Sequence, residues 1–198
     1  QRPNGESPTY RNGRKIRPRQ IMFKPGERMD YPDHAEVRII DDFLPNDIFR
    51  KAQEDSQKLY EHGEGFRTNS DWGQHLIKHS APVMITNVLD NKITDGIASS
   101  IAKIGEHQQK TLYQYWPVGS YIPWHNDGGH KAAITIYLSE HDINDGGYLM
   151  YDDGRGIKAV RSKPNRAVFI TGGLYHCVTT VNTGSAIRRS IQIWLSGR

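Results

Sequence analysis

The chain has 198 residues, 36 % of them hydrophobic and 24 % charged, which is enough for one domain with its own core and cramped for two. No apolar run approaches the roughly 20 residues that a membrane-spanning helix needs, no secretory pattern opens the sequence, and the single cysteine, Cys177, excludes an intramolecular disulfide and a cysteine-rich zinc site. A cytoplasmic, reducing setting is expected from that usage. The net charge of +4 is unevenly placed: residues 1–30 carry eight basic residues against three acidic ones, so the remainder is close to neutral.

In chain order, residues 1–33 are rich in Pro, Gly and Arg and are expected to form an irregular basic arm, with a single domain over 34–198. Arg11, Arg14, Lys15, Arg17 and Arg19 in the arm suit a nucleic-acid or acidic-partner contact. No aromatic residues interleave them to stack bases, which favours a solvated arm instead. Val37, Ile39 and Ile40 mark a first strand, and Leu44-Pro45-Asn46-Asp47 opens a helix whose stripe of Ile48, Phe49, Ala52 and Leu59 runs to about Glu61. Residues 62–73 are Gly-rich and polar, a loop long enough to be a lid. Ile93, Ile97, Ile101 and Ile104 recur at helical spacing and predict a second helix over 91–106.

After Lys110 the pattern changes to short β-type runs over 111–116, 131–138, 147–151, 157–160, 167–171, 176–181 and 186–195, separated by turn clusters such as Asn144-Asp145-Gly146-Gly147. Many short strands at this spacing predict a sandwich or barrel occupying about 110–198, with the helices supporting one outer face. The class is α+β, mainly β. Alternation assigns faces: Ile187, Ile191, Ile193 and Leu195 share one side of the last strand, and Arg188, Ser190, Gln192 and Trp194 the other. By the same logic Ile134, Ile136 and Leu138 point outward, and Ala133, Thr135 and Tyr137 inward. A small barrel with a polar inner face holds a ligand.

Trp124-His125-Asn126-Asp127 carries the chemistry. In an extended segment residues i and i+2 point the same way, so His125 and Asp127 can reach one ion together. His176, after the turn Gly172-Gly173, can add the second imidazole. Two His and one carboxylate on one face leave three adjacent positions open, enough for a bidentate oxo-acid and dioxygen. Arg188, twelve residues after His176 on an inward face, has no local acidic neighbour, and its planar fork suits a carboxylate. Tyr115 and Tyr137 flank His125 at ten and twelve residues and offer hydroxyl donors. Each feature has a plainer alternative: surface loop residues, a core histidine, an ordinary salt bridge, a tyrosine that satisfies a backbone carbonyl. It is their combination that points to a site.

Taken together, Tyr115, Tyr121, His125-Asn126-Asp127, Ile136-Tyr137-Leu138, Gly146-Gly147, His176 and Arg188-Arg189-Ser190-Ile191 resemble the 2-oxoglutarate/Fe(II) oxygenases, and among them the prolyl-4-hydroxylase-like branch. The resemblance covers roughly 110–195, and more loosely 37–61. It implies a double-stranded β-helix (jelly-roll, cupin-like), with Fe(II) on His125, Asp127 and His176. It also implies 2-oxoglutarate as co-substrate, its distal carboxylate on Arg188 assisted by Tyr115 and Tyr137, and ascorbate as a further cofactor. The implied activity is a dioxygenase that decarboxylates 2-oxoglutarate to succinate and CO2 and hydroxylates a substrate, a peptidyl proline on this branch. Several animal collagen-modifying relatives carry Lys at the Arg188 position, so Arg is more like the oxygen-sensing and microbial members. Members that repair alkylated nucleic acid usually carry a second Arg six residues on, where this chain has Trp194. Tyr121 and Trp194 are expected at the barrel mouth as substrate contacts, Phe66-Arg67-Thr68 in a mobile substrate-covering loop, and Arg189, opposite Arg188, in a structural or surface role.

Other occupants of the prime-substrate site stay open: another protein side chain, a free amino acid or a small molecule. Two rivals lie in other classes. A cupin-like metal-binding protein would use the metal residues and have no need of Arg188. A nucleic-acid-binding protein led by the basic arm would bind with steep salt dependence. A hydrolase fits poorly, since Cys177 and His176 are strand neighbours that point apart, and no Gly-x-Ser-x-Gly elbow is present.

Overall fold

The computed structural model describes residues 10–11, 14–15, 36–63, 66–68, 83–103, 105–106, 110–127, 130–182 and 187–195. The chain divides into two compact units, Gln1–Asp30 and Tyr31–Arg198. In the first, β1 (Tyr10–Arg11) pairs antiparallel with β2 (Arg14–Lys15). Of the basic residues read as a partner contact, Arg17 and Arg19 lie outside the described residues.

The second unit is built from two antiparallel sheets. The larger contains β3 (Val37–Ile40), β4 (Arg67–Thr68), β5 (Met84–Asn87), β6 (Lys110–Trp116), β8 (Ala132–Tyr137), β11 (Ala167–Thr171) and β13 (Arg188–Leu195), in the order β3-β11-β8-β13-β6-β5-β4. The smaller contains β7 (Ile122–His125), β9 (Leu149–Asp152), β10 (Ile157–Val160) and β12 (His176–Val178), in the order β10-β9-β12-β7. The central pairings, β11 with β8, β8 with β13, β13 with β6, β9 with β12 and β12 with β7, join strands that are not consecutive in sequence, as in a double-stranded β-helix, where strands alternate between two facing sheets.

Two helices, α1 (Asn46–His62) and α2 (Asn91–Lys103), cover the outer face of the larger sheet. The stripe read from the sequence packs there: Ile48, Phe49, Ile93 and Ile97 meet Ile134, Ile136, Ile191 and Ile193, all buried. Each such side chain contributes about 1.5–3 kcal/mol relative to exposure. Arg189 also faces this layer, where its Nη1 donates to the Gln53 carbonyl at 3.1 Å and the Ser56 hydroxyl at 2.9 Å, tying α1 to β13. A second apolar cluster, including Ile122, Leu149, Val168 and Val178, fills the space between the sheets. α2 stops at Lys103, short of the expected 106, because Gly105 takes a positive φ of 78° and its N–H turns back to the Ala102 carbonyl.

Three short strands escape the sequence pattern. β4 lies within the stretch expected as a mobile loop, but Arg67 and Thr68 pair with Ile85 and Met84, and Phe66 packs edge-on against Tyr115. β5 has only four residues, and its pairing with β6 decides it. β7 contains Pro123, which argues against a strand unless the strand is an edge, and β7 is the edge of the smaller sheet.

Candidate metal centre and anion pocket

β7 and β12 run side by side, with His125 paired to His176. The register then slips: Ile122 pairs with Val178, so three residues of β7 span two of β12. This bulge turns both Ile122 and His125 into the barrel and pushes Trp124 out to 43 % exposure. The two imidazoles lie 4.3 Å apart between centroids at 52°. Each is oriented the same way, with Nδ1 against a carbonyl two residues earlier: Pro123 at 2.7 Å for His125 and Leu174 at 2.9 Å for His176. An Nδ1–H bond of that kind fixes the tautomer and leaves Nε2 with a lone pair for a metal. Asp127 Oδ2 stands 3.7 Å from His176 Nε2, and the three residues place one donor atom each within 4.8 Å of the others.

The segment carrying Asp127 is braced from behind. The His130 N–H donates to the Asp127 carbonyl at 2.8 Å, and the Gly172 N–H to the Lys131 carbonyl at 2.9 Å. Gly172 is the residue that permits this approach. A Cβ there would run into the His130 carbonyl oxygen and lie 2.7 Å from that of Asp127.

At the far end of the same pocket Arg188 is 1 % exposed, its guanidinium 4.8 Å from the Trp116 ring centroid and 5.1 Å from that of Tyr137. Its Nε and Nη1, and the buried Tyr137 hydroxyl, make no hydrogen bond. Arg188 and the phenol interact electrostatically, but in no hydrogen-bonding geometry. Burial pulls the Arg188 pKa down and pushes that of Tyr137 up, the latter opposed by the neighbouring guanidinium. The pKa of His141, also 1 % exposed, is lowered by burial and then by the Arg188 charge. Among the described residues no carboxylate pairs with Arg188. A buried cation without a partner is destabilising by several kcal/mol, so the cradle suits an anion from outside the protein. Gly147, at φ +66°, closes the turn beneath it, and a Cβ there would sit 2.8 Å from Arg188 Cδ.

The pocket between these two ends has about 560 Å³ of empty space, its mouth included, and is lined by His125, Asp127, His176, Tyr137, Arg188 and Trp194 among others. Five of the expected side chains and one expected substrate contact thus converge. Tyr115 does not. It points through the other face of β6 into the helix layer, where its hydroxyl donates to the Ser56 carbonyl at 2.9 Å and burial pushes its pKa up. The sequence reading was one residue out of phase on β6, and the pleat delivers Gln114 and Trp116 to the pocket instead. The signal lies in the strand register: Trp116 pairs with Arg188 across the β6–β13 ladder and so shares its inward face. Tyr115→Phe is therefore expected to lower stability by about 1 kcal/mol, the worth of one buried hydrogen bond. It should leave 2-oxoglutarate affinity unchanged, as thermal melts and ligand titration would show. Tyr121 is half-buried and stands outside the lining, one residue before the inward Ile122.

The jelly roll thus places two imidazoles and a carboxylate at one end of its pocket and a buried arginine at the other, an arrangement able to hold a metal ion and an anion. Residues 111–196 match the family model of the 2OG-Fe(II) oxygenase superfamily. The fold is similar to that of a Pseudomonas putida prolyl-4-hydroxylase, with a TM-score of 0.64 at 17 % identity over 83 % of this chain and 94 % of that one. It is also similar to a Trichoplax adhaerens prolyl hydroxylase in complex with a hypoxia inducible factor peptide fragment, with a TM-score of 0.64 at 16 % identity over 81 % and 83 %. SnoN, a non-heme alpha ketoglutarate dependent epimerase from nogalamycin biosynthesis, gives 0.63 at 13 % over 81 % and 77 %. No curated protein matches the chain by sequence. Among the described residues, no helix is long and apolar enough to cross a membrane.

Proposed function

We propose that this chain is a 2-oxoglutarate- and Fe(II)-dependent oxygenase that hydroxylates a peptidyl proline, with iron held by His125, Asp127 and His176 and the distal carboxylate of 2-oxoglutarate gripped by Arg188 and Tyr137. The observation that carries the site assignment is the buried Arg188, unpaired, at the opposite end of one pocket from the three metal-binding side chains. The likeness in fold to two prolyl hydroxylases, one of them in complex with a peptide fragment, supports the peptide reading. The likeness to SnoN supports a small-molecule substrate as the alternative.

When bound, the iron and 2-oxoglutarate supply an oxidant from dioxygen, with succinate and CO2 as the other products. The chain's own residues do the rest. The carbonyls of Pro123 and Leu174 hold each imidazole with Nε2 towards the metal. Arg188, flanked by Trp116 and Tyr137, fixes the co-substrate by its far end, so that its other end meets the metal in one orientation. The apolar walls, among them Ile122, Leu149 and Val168, keep water from the reacting atoms. Trp194, 9 % exposed with Lys110 and His130 beside its ring, forms one side of the substrate approach.

The test is succinate formation by the purified protein with Fe(II) and ascorbate, alone and with proline-containing peptides. Turnover abolished by His176→Ala and stimulated by a peptide supports the reading. Turnover stimulated by small molecules alone removes the prolyl part. Metal binding with no 2-oxoglutarate consumption, unchanged in Arg188→Ala, removes the site assignment as well.

A further inference from the structure

The inner face of the larger sheet carries polar side chains that neither the metal centre nor the Arg188 cradle uses. Along β13, Arg188, Gln192 and Trp194 all line the pocket; Ser190 pairs across to Tyr137 on β8, Gln192 to Thr135 and Trp194 to Ala133. The metal end is identifiable on this ladder. Gly172, which lies against the Asp127 carbonyl, follows Thr171, and Thr171 pairs with Ala132, the partner of Leu195. From Arg188 to Trp194 the face therefore runs from the anion cradle to the metal, and the Gln192–Thr135 pair is a step between them. A five-carbon diacid held at Arg188 with its other end at the metal must lie across that step.

Gln192 is prepared for such a contact. It is 8 % exposed, and its Oε1 accepts from the Thr135 hydroxyl at 2.7 Å. That bond turns the amide nitrogen, which makes no other hydrogen bond among the described residues, towards the pocket. Gln114, 4 % exposed and diagonal to Gln192 across the β6–β13 ladder, likewise presents an amide with no protein partner among the described residues. Both amides reach the pocket space, where a bound ligand can accept their N–H groups. Resting on the site assignment above, we propose that Gln192, oriented by Thr135 and seconded by Gln114, donates to the oxo-acid end of 2-oxoglutarate and so positions the co-substrate at the end remote from Arg188. The acceptor is the anionic oxygen set of a 2-oxo acid, and an aliphatic side chain at this position would leave it without a donor.

Two 2-oxo acids separate the two ends: 2-oxoglutarate, and 2-oxopentanoate, which lacks the distal carboxylate. Each is titrated calorimetrically into the Mn(II)-loaded protein, with Mn(II) affinity measured alongside. Gln192→Leu should weaken both acids about tenfold, the effect of losing one hydrogen bond to a charged group, and leave Mn(II) affinity unchanged. Gln192→Glu, which keeps the shape and turns a carboxylate on the ligand, should weaken both further. Arg188→Met should weaken 2-oxoglutarate alone. Arg188-dependent 2-oxoglutarate binding that both Gln192 variants leave intact would overturn this inference and spare the site assignment. So would a Gln192→Glu variant that binds like wild type, since a purely structural glutamine tolerates that exchange. Wild-type protein that binds Mn(II) and no 2-oxo acid overturns both.

Discussion

Arg188→Met is expected to lower 2-oxoglutarate affinity by two to three orders of magnitude while leaving the apoprotein at least as stable as wild type. The two effects share one cause. The guanidinium is almost fully enclosed, with two of its nitrogens lacking hydrogen bonds. Desolvating such a charge is unfavourable by several kcal/mol, whereas its contacts with Trp116 and Tyr137 return about 0.5–2 kcal/mol each. Desolvation wins, so in the free protein the charge is a liability that an apolar side chain of similar volume removes. With the dianion present the balance reverses: a bidentate, water-excluded ion pair forms, and removing one partner of such a pair costs about 3–5 kcal/mol. Ligand titration together with thermal melts of the apoprotein would check both halves. A variant that melts well below wild type without ligand would contradict the view of Arg188 as an unpaired charge. Gly147→Ala should give a milder version, since its Cβ presses on the aliphatic part of Arg188 and leaves the charge in place.

Gly172→Ala should damage the metal end, although residue 172 supplies no donor atom. The added methyl group meets the main-chain carbonyls of His130 and Asp127, not the flexible tip of a side chain, so no rotamer change relieves it. The Asp127 segment must move. A metal site tolerates little displacement of a ligand, and supporting positions of this kind are worth about 10–100-fold in affinity. Forced overpacking adds about 1–3 kcal/mol of destabilisation. Asp127→Asn is the informative comparison, because it removes the charge and keeps the backbone. Metal titration should show both variants weakened and thermal melts only Gly172→Ala destabilised; wild-type metal affinity in Gly172→Ala would show that the brace is dispensable.

Much of this was legible from residue order. The spacing of Ile93, Ile97 and Ile101 specifies an amphipathic helix wherever it packs. The alternation in the last strand assigned Arg188 and Trp194 inward and Arg189 outward, and their contacts follow that division. Alternation is robust there because eight residues of one strand repeat it. It failed on β6, where aromatic residues occur on both faces and Tyr113, Tyr115 and Trp116 are alike in apolar character, so the pattern gives no phase. Only the pairing of Arg188 with Trp116 and of Arg189 with Tyr115 sets it.

The sequence by itself thus determined the class of fold and singled out the three side chains that the structure brings together as a candidate metal site and the arginine that it buries, because these rest on local periodicity and on residue types whose chemistry is narrow. The tertiary structure alone decided which residue of β6 reaches the pocket, that β7 carries a bulge directing His125 inward, and that Gly147 and Gly172 stand where no side chain fits. Those outcomes depend on strand register and on the approach of segments forty or more residues apart, and no local pattern encodes the phase between two strands before they pair.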